Sequence, residues 1–329
     1  MPLPLAATQL RQVTFTDRGK HYDLATYLEV NRVTGLLILK DGRIALERYR
    51  LGNTERTHWM SMSVAKSITS TLIGAAIKQH YIASLSDSVT HYVPALAGSA
   101  YEGVTVRDVL MMASGARWNE TYTDPASDRR RLLEAQISQV SGSTMAVMRS
   151  LPRAAPPGTV NNYSTGETQV AAEILRRAVG RPLATYLSER IWSRFGMEAD
   201  ASWWLDSPPP DGVEIGGSGF SATLRDYGRF GLFVLNGGVA AGDSGLPTGW
   251  IEEATTPKTL PGGAPLDYGY LWWPGQGGAY AAEGIYGQWI YVNPRAQVVI
   301  VVWSAQAKPT GAALVDDWAF FDAVVSALK

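Results

Sequence analysis

Trp59-Met60-Ser61-Met62-Ser63-Val64-Ala65-Lys66-Ser67-Ile68-Thr69-Ser70-Thr71-Leu72-Ile73-Gly74-Ala75-Ala76-Ile77 is the stretch around which the chain of 329 residues is organised. From Ser63 onward it reads as a helix, because Val64, Ile68, Thr71, Leu72, Ala75 and Ala76 share one face at the i, i+3, i+4 spacing. Ser63 opens that helix and Lys66 follows three residues later, so the hydroxyl and the amine can meet. An amine beside a serine hydroxyl can act as a general base when apolar burial keeps it neutral. The positive end of the helix dipole then lies beside the developing alkoxide. The plain alternative is a serine that only caps a helix and a solvated lysine in its first turn. Ser-x-x-Lys is short enough to arise by chance, and Ser326-Ala327-Leu328-Lys329 repeats it at the C-terminus, where fraying argues against a site. The rest of the chain has to decide.

Composition narrows the field. Hydrophobic residues at 46% and charged residues at 18% describe a globular protein. A net charge of −1 and a pI near 6.4 offer no basic stripe to phosphates, so nucleic acid is not expected as a partner. The absence of cysteine excludes disulfides, thiolate metal sites and cysteine nucleophiles. No apolar run approaches the ~20 residues of a membrane span. Met1-Pro2-Leu3-Pro4-Leu5-Ala6-Ala7 lacks the basic region and long apolar core of a signal peptide, which leaves the compartment open between cytoplasm and a trimmed secreted or periplasmic protein. Of the four histidines, His21, His58, His80 and His91, none stands in an H-E-x-x-H pair, and no Gly-x-Ser-x-Gly elbow exists. His58, near the helix start, reads as a surface residue. Gly216, Gly217 and Gly219 read as loop flexibility, since no phosphate-loop lysine completes them. Arg129-Arg130-Arg131 reads as a solvated helix face. Trp272-Trp273 is open between core and cleft wall.

Local patterns give the elements in order. Residues 1–31 look mixed and partly extended. Residues 34–40 and 43–49 form a hairpin across Asp41-Gly42, the favoured two-residue turn. The nucleophile helix covers 63–79. Residues 85–90 and the Pro94 segment are expected to be loop. Thr105 caps a short helix that ends at Ser114-Gly115, and 118–125 is a polar, aromatic loop. Helices are expected over 128–139, 143–151, 167–179 and 183–195, with a Pro- and Gly-rich loop at 205–219. A helix over 223–235 stops at Asn236-Gly237-Gly238. The chain is then strand-rich, with 288–292 and 297–303 joined at Asn293-Pro294-Arg295. A last amphipathic helix over about 312–328 turns Leu314, Trp318, Phe321 and Val325 inward. Strands at both ends most simply pair into one antiparallel sheet around an inserted helical region. The expected class is α+β: one catalytic domain over 1–329, its sheet part at roughly 1–100 and 215–329 and its helical part at roughly 101–214.

Several stretches then fall in a familiar order: Ser61-Met62-Ser63-Val64-Ala65-Lys66-Ser67, Val104-Thr105-Val106-Arg107-Asp108-Val109-Leu110, Trp118-Asn119-Glu120-Thr121-Tyr122-Thr123-Asp124-Pro125, Tyr163-Ser164-Thr165-Gly166-Glu167-Thr168, residues 222–231, and Gly284-Ile285-Tyr286-Gly287-Gln288. In this order they resemble the serine β-lactamase-like superfamily of class C β-lactamases, penicillin-binding proteins and family VIII carboxylesterases. The nearest resemblance is to the 6-aminohexanoate-dimer hydrolases, and it spans nearly the whole chain.

The resemblance implies an antiparallel sheet flanked by helices, with Ser63 as the acylated nucleophile and Lys66 as its partner. Tyr163 stands at the family's Tyr-x-Asn tyrosine and would relay the proton to the leaving group. Thr165 replaces the usual Asn, which removes a β-lactam-like contact. Ala282-Glu283-Gly284 stands where the family carries Lys-Thr-Gly, so the cation that normally holds a substrate carboxylate is missing from that strand. The backbone N–H groups of Ile285 and Ser63 remain available as an oxyanion hole. Tyr122 matches a loop tyrosine that reaches over the substrate amide, and Gly284 and Tyr286 flank the substrate. Asp124 has two readings, a holder of a substrate ammonium or an Asx-turn before Pro125. The expected activity is hydrolysis of a small-molecule ester or linear amide, with no metal or organic cofactor implied. The alternatives are a β-lactamase or DD-peptidase-like enzyme, or a binding module without turnover. Substrate, oligomeric state and which of Lys66 and Tyr163 is the general base stay open.

Overall fold

A computed structural model describes residues 1–240 and 242–329. The hairpin forms as the sequence dictates: β1 (Val33–Lys40) and β2 (Arg43–Tyr49) pair antiparallel, and Asp41 (φ 50°) and Gly42 (φ 72°) both take the left-handed region that a type I′ turn demands. α1 (Val64–Lys78) follows, then α2 (Val106–Leu110), α3 (Asp128–Ser138), α4 (Thr165–Val179) and α5 (Leu224–Leu235). The C-terminal part adds β3 (Trp273–Pro274), β4 (Tyr280–Gly284), β5 (Gln288–Asn293), β6 (Val298–Ser304) and α6 (Asp317–Ala327).

Strands from the two ends of the chain pair into one six-stranded antiparallel sheet in the order β3-β4-β5-β6-β1-β2, with Ile300 opposite Ile38 at the seam. Strand alternation sorts its residues between two cores. Leu37, Leu39, Val299 and Val301 face the core that holds α1 and α5, whereas Leu36, Ile38, Val298 and Ile300 face α6. A sheet covered on both faces needs near-continuous apolar strands, and β1 and β6 supply them. Gly228 and Gly231 let α5 lie flat on the sheet: a Cβ at either would come within 2.5 Å of Leu37 or Val299. The class is α+β, and most of the helices between the two ends of the sheet come from residues 64–235.

Three local expectations change. The segment read as loop at 85–96 contains a helical turn, Val89–Tyr92, capped by Ser88, and a 3-10 turn, Pro94–Leu96. The stretch at 183–195 is helical with a π-turn over Ser188–Trp192. The last helix begins at Asp317, where the Asp316 side chain accepts the Trp318 N–H. Leu314 therefore lies outside it and is 64% exposed, and Phe320, Phe321 and Val324 form the buried face.

Candidate active site

α1 starts in the interior. Met62, just before it, takes φ 48°, a conformation uncommon for a residue with a side chain. Ser63 occupies the cap position, but its side chain makes no capping hydrogen bond. The hydroxyl stands instead 3.0 Å from Lys66 Nζ. Ser63 and Lys66 are both buried, so neither the plain cap nor the solvated lysine describes them.

Lys66 Nζ has two other partners, Thr165 Oγ1 at 3.1 Å and the Gly217 carbonyl at 2.8 Å. None of these partners is charged. Burial therefore dominates, and it lowers the amine pKa from 10.5 to about 7, with Glu120 opposing and Arg129 adding to the fall. The direction of each bond follows from its neighbours. Thr165 Oγ1 donates its proton to Glu120 Oε1 at 2.5 Å, so it can only accept from Lys66. The Gly217 carbonyl can also only accept. A neutral amine has two N–H bonds for these acceptors, and its lone pair is left for the Ser63 hydroxyl.

Tyr163 enters from the loop before α4. Lys66 Nζ lies 5.4 Å from the centre of its ring. Burial and Tyr268 push the phenol pKa well up, and a hydrogen bond with Ser63 pulls the other way. Trp273 stacks on this ring at 5.9 Å, and Tyr268 meets it edge-on at 6.3 Å. The tryptophan pair thus divides: Trp272 is core and Trp273 lines the cleft.

The end of β4 abuts Ser63. A Cβ on Gly284 would sit 2.5 Å from the Ser61 carbonyl and 3.0 Å from Ser63 N, so only glycine allows this approach. Beyond it, neither Ile285 N–H nor Ser63 N–H donates to another group among the described residues. Two cavities open on Ser63. One of about 810 Å³ includes Tyr122, Thr165, Ile285 and Tyr286, and one of about 440 Å³ includes Tyr122, Tyr163, Glu283 and Gly284. Glu283 is held mostly out of water, which raises its pKa to about 7.

Ser63, Lys66, Tyr163, Ile285, Tyr122, Gly284 and Tyr286 thus come together. Asp124 does not join them: it lines neither cavity, and its carboxylate accepts Ala126 N at 2.8 Å and Asn119 Nδ2 at 3.1 Å, an Asx-turn. His58 is exposed as expected. The Gly216-Gly217 segment is not a flexible loop. Both residues are buried, and their carbonyls accept from Thr69 and Lys66. Sequence reading gave no role to Gly217, Glu120 or Arg129. The run Gly216, Gly217 and Gly219 was the sequence signal available for a close backbone approach.

Among the described residues no helix is long and apolar enough to cross a membrane, and no group of three or more His, Cys, Asp or Glu side chains could hold a metal.

Known proteins share this fold. The beta-lactamase family model matches residues 28–324. The 6-aminohexanoate-dimer hydrolase of Paenarthrobacter ureafaciens is 32% identical over 303 residues, which cover 87% of this chain and 76% of that protein. A solved structure from Bacillus anthracis, provisionally assigned as a 6-aminohexanoate-dimer hydrolase, superposes with a TM-score of 0.86 at 26% identity, over 100% of this chain and 87% of the other. A family VIII carboxylesterase shares the fold at a TM-score of 0.68 and 16% identity, over 89% of this chain and 92% of the other. With the fold, the order of motifs and the matched length in agreement, the chain belongs to the beta-lactamase family, as a hydrolase related to the 6-aminohexanoate-dimer hydrolases.

Proposed function

We propose that the protein cleaves carboxylic esters or linear amides through an acyl-enzyme on Ser63. The observation that carries this reading is the 3.0 Å contact between the Ser63 hydroxyl and an amine with a pKa of about 7. Neutral Lys66 accepts the Ser63 proton as Oγ attacks the carbonyl carbon. The oxyanion of the tetrahedral intermediate is held by the N–H groups of Ser63 and Ile285. As the intermediate collapses, the proton returns to the leaving oxygen or nitrogen, with the Tyr163 phenol as relay between Lys66 and the leaving group. Water then attacks the acyl-enzyme by the reverse route. Tyr122, at the boundary of the two cavities, is within reach of the leaving group. Ala282 stands in place of a lysine, so the carboxylate of a β-lactam finds no cation on that strand, and the acidic Glu283 beside it disfavours it further.

The test is a panel of p-nitrophenyl butyrate, longer esters, 6-aminohexanoate dimer and nitrocefin, with the acyl-enzyme trapped and weighed. Ester or amide turnover with acyl mass on Ser63, lost in Ser63→Ala, is the expected result. Full activity in Ser63→Ala removes the proposal.

A further inference from the structure

The arginine run at 129–131 was expected to be solvated, and two of its members are. The side chains of Arg130 and Arg131 are 49% and 46% exposed. Arg129 is only 13% exposed, because a helix turns successive residues about 100° apart. That rotation points Arg129 into the 810 Å³ cavity, in line with Leu133 and Gln136 on the same face of α3.

The guanidinium arrives there without hydrogen bonds. Among the described residues Nε and Nη1 are buried with no partner, and Nη2 donates to no protein group. Its one ionic neighbour is Glu120 Oε1 at 4.0 Å. That carboxylate is already used: it accepts from Thr165 N at 2.9 Å, from Thr165 Oγ1 at 2.5 Å and from Trp118 Nε1. It offsets charge without satisfying a donor. Arginine cannot shed its proton to escape the cost of burial. Two turns along α3, Gln136 is 4% exposed, lines the same cavity, and has an Nε2 with no acceptor among the described residues. Two side chains with buried, unused donors therefore share one helix face at one cavity. Trp203, Trp204, Leu133 and Pro209 supply an apolar wall around them.

We propose that Arg129, aided by Gln136, is a carboxylate-binding subsite for substrates whose scissile ester or amide lies a few carbons from a free carboxylate. A planar carboxylate matches the donor fork of a guanidinium. Contacts of 4.0, 2.5, 3.1 and 3.0 Å link Arg129 to Ser63 through Glu120, Thr165 and Lys66, so the anion sits at a short, fixed remove from the nucleophile. The cation missing from the β4 strand is thus supplied from a different element and at a different place. This inference rests on Ser63 being the nucleophile.

The experiment uses matched substrates that differ only in the carboxylate. One series carries it on the acyl part: mono-4-nitrophenyl adipate against its methyl ester. The other carries it on the leaving group: 4-carboxyphenyl butyrate against its methyl ester. Wild-type enzyme is expected to favour the free acid at least tenfold in kcat/KM in one series, mainly through KM. Arg129→Gln is expected to erase that preference, and Arg129→Lys to keep part of it. The ratio within each variant cancels any general loss of activity. No preference in either series overturns the proposal, as does a preference that survives in Arg129→Gln. Calorimetry of monomethyl adipate and dimethyl adipate with Ser63→Ala reads the subsite without turnover. Tighter binding of the acid supports the subsite even where the hydrolase reading fails, and equal binding overturns it.

Discussion

Lys66 and Arg229 are both buried cations, yet their surroundings are opposite. Arg229 is 3% exposed and fully paired: Nη1 meets Asp226 at 2.8 Å and Nη2 meets Glu198 at 2.8 Å. Asp226 in turn accepts from the backbone N–H groups of Glu198 and Ala199 and from Thr223. Lys66 is 1% exposed and meets two hydroxyls and a carbonyl. The paired cation ties α5 to the segment after Phe195. The amine without a paired anion has its pKa lowered from 10.5 to about 7. A buried charge with complete partners is a structural element, and one with only neutral partners is poised for chemistry.

Substitution at each centre tests that contrast. Lys66→Met is expected to lower kcat on p-nitrophenyl butyrate by about 10⁴-fold, while the melting temperature holds or rises, because an apolar side chain replaces a buried amine. A large loss of stability here would erase the contrast. Arg229→Met should do the reverse. It leaves the buried Asp226 without its cation, for a loss of about 3–5 kcal/mol in urea unfolding, with the acyl-enzyme still forming in whatever protein stays folded.

The pH profile sharpens the comparison. Rate that depends on neutral Lys66 should rise about tenfold per pH unit below 7 and level off above it. Glu283 also has a pKa near 7. Glu283→Gln identifies the group: the rising limb of kcat/KM stays in place if Lys66 governs it and disappears if Glu283 does. Next in size, Thr165→Val removes one acceptor from the amine and one donor from Glu120. It should cost about tenfold in kcat and move the limb, since Glu120 acts on the Lys66 charge.

The smallest effect concerns a third buried group. Glu167 on α4 takes the Ser114 hydroxyl, and burial raises its pKa from 4.5 to about 8. The native state therefore holds an extra proton between those values. Its contribution to stability is present below about pH 4.5 and is lost as pH rises through 8. Wild-type melting temperature should fall over that range relative to Glu167→Gln, read by a thermal melt in each buffer. Parallel curves would place Glu167 with the fully satisfied groups.

Local rules reached far into this molecule. Asp41-Gly42 specified the hairpin, since few other residue pairs accept two positive φ values in succession. The spacing of Val170, Ile174, Leu175 and Val179 gave α4 and its buried face. The hydroxyl at 63 and the amine at 66 had to be neighbours once a helix joined them, and the order of motifs brought in Tyr163 and Ile285.

Tertiary structure decided the properties that depend on what lies opposite a residue. The charge of Lys66 depends on burial by elements more than 100 residues away, among them the Gly217 carbonyl. Identical letters at 129, 130 and 131 separate into one mostly covered and two exposed side chains only when α3 docks. Asp124 and Glu120 look alike in one loop, yet one closes a turn and the other reaches Thr165. Helix and turn preferences are short-range and can be read along the chain. Desolvation and hydrogen-bond pairing are set by contacts that form only when distant segments meet.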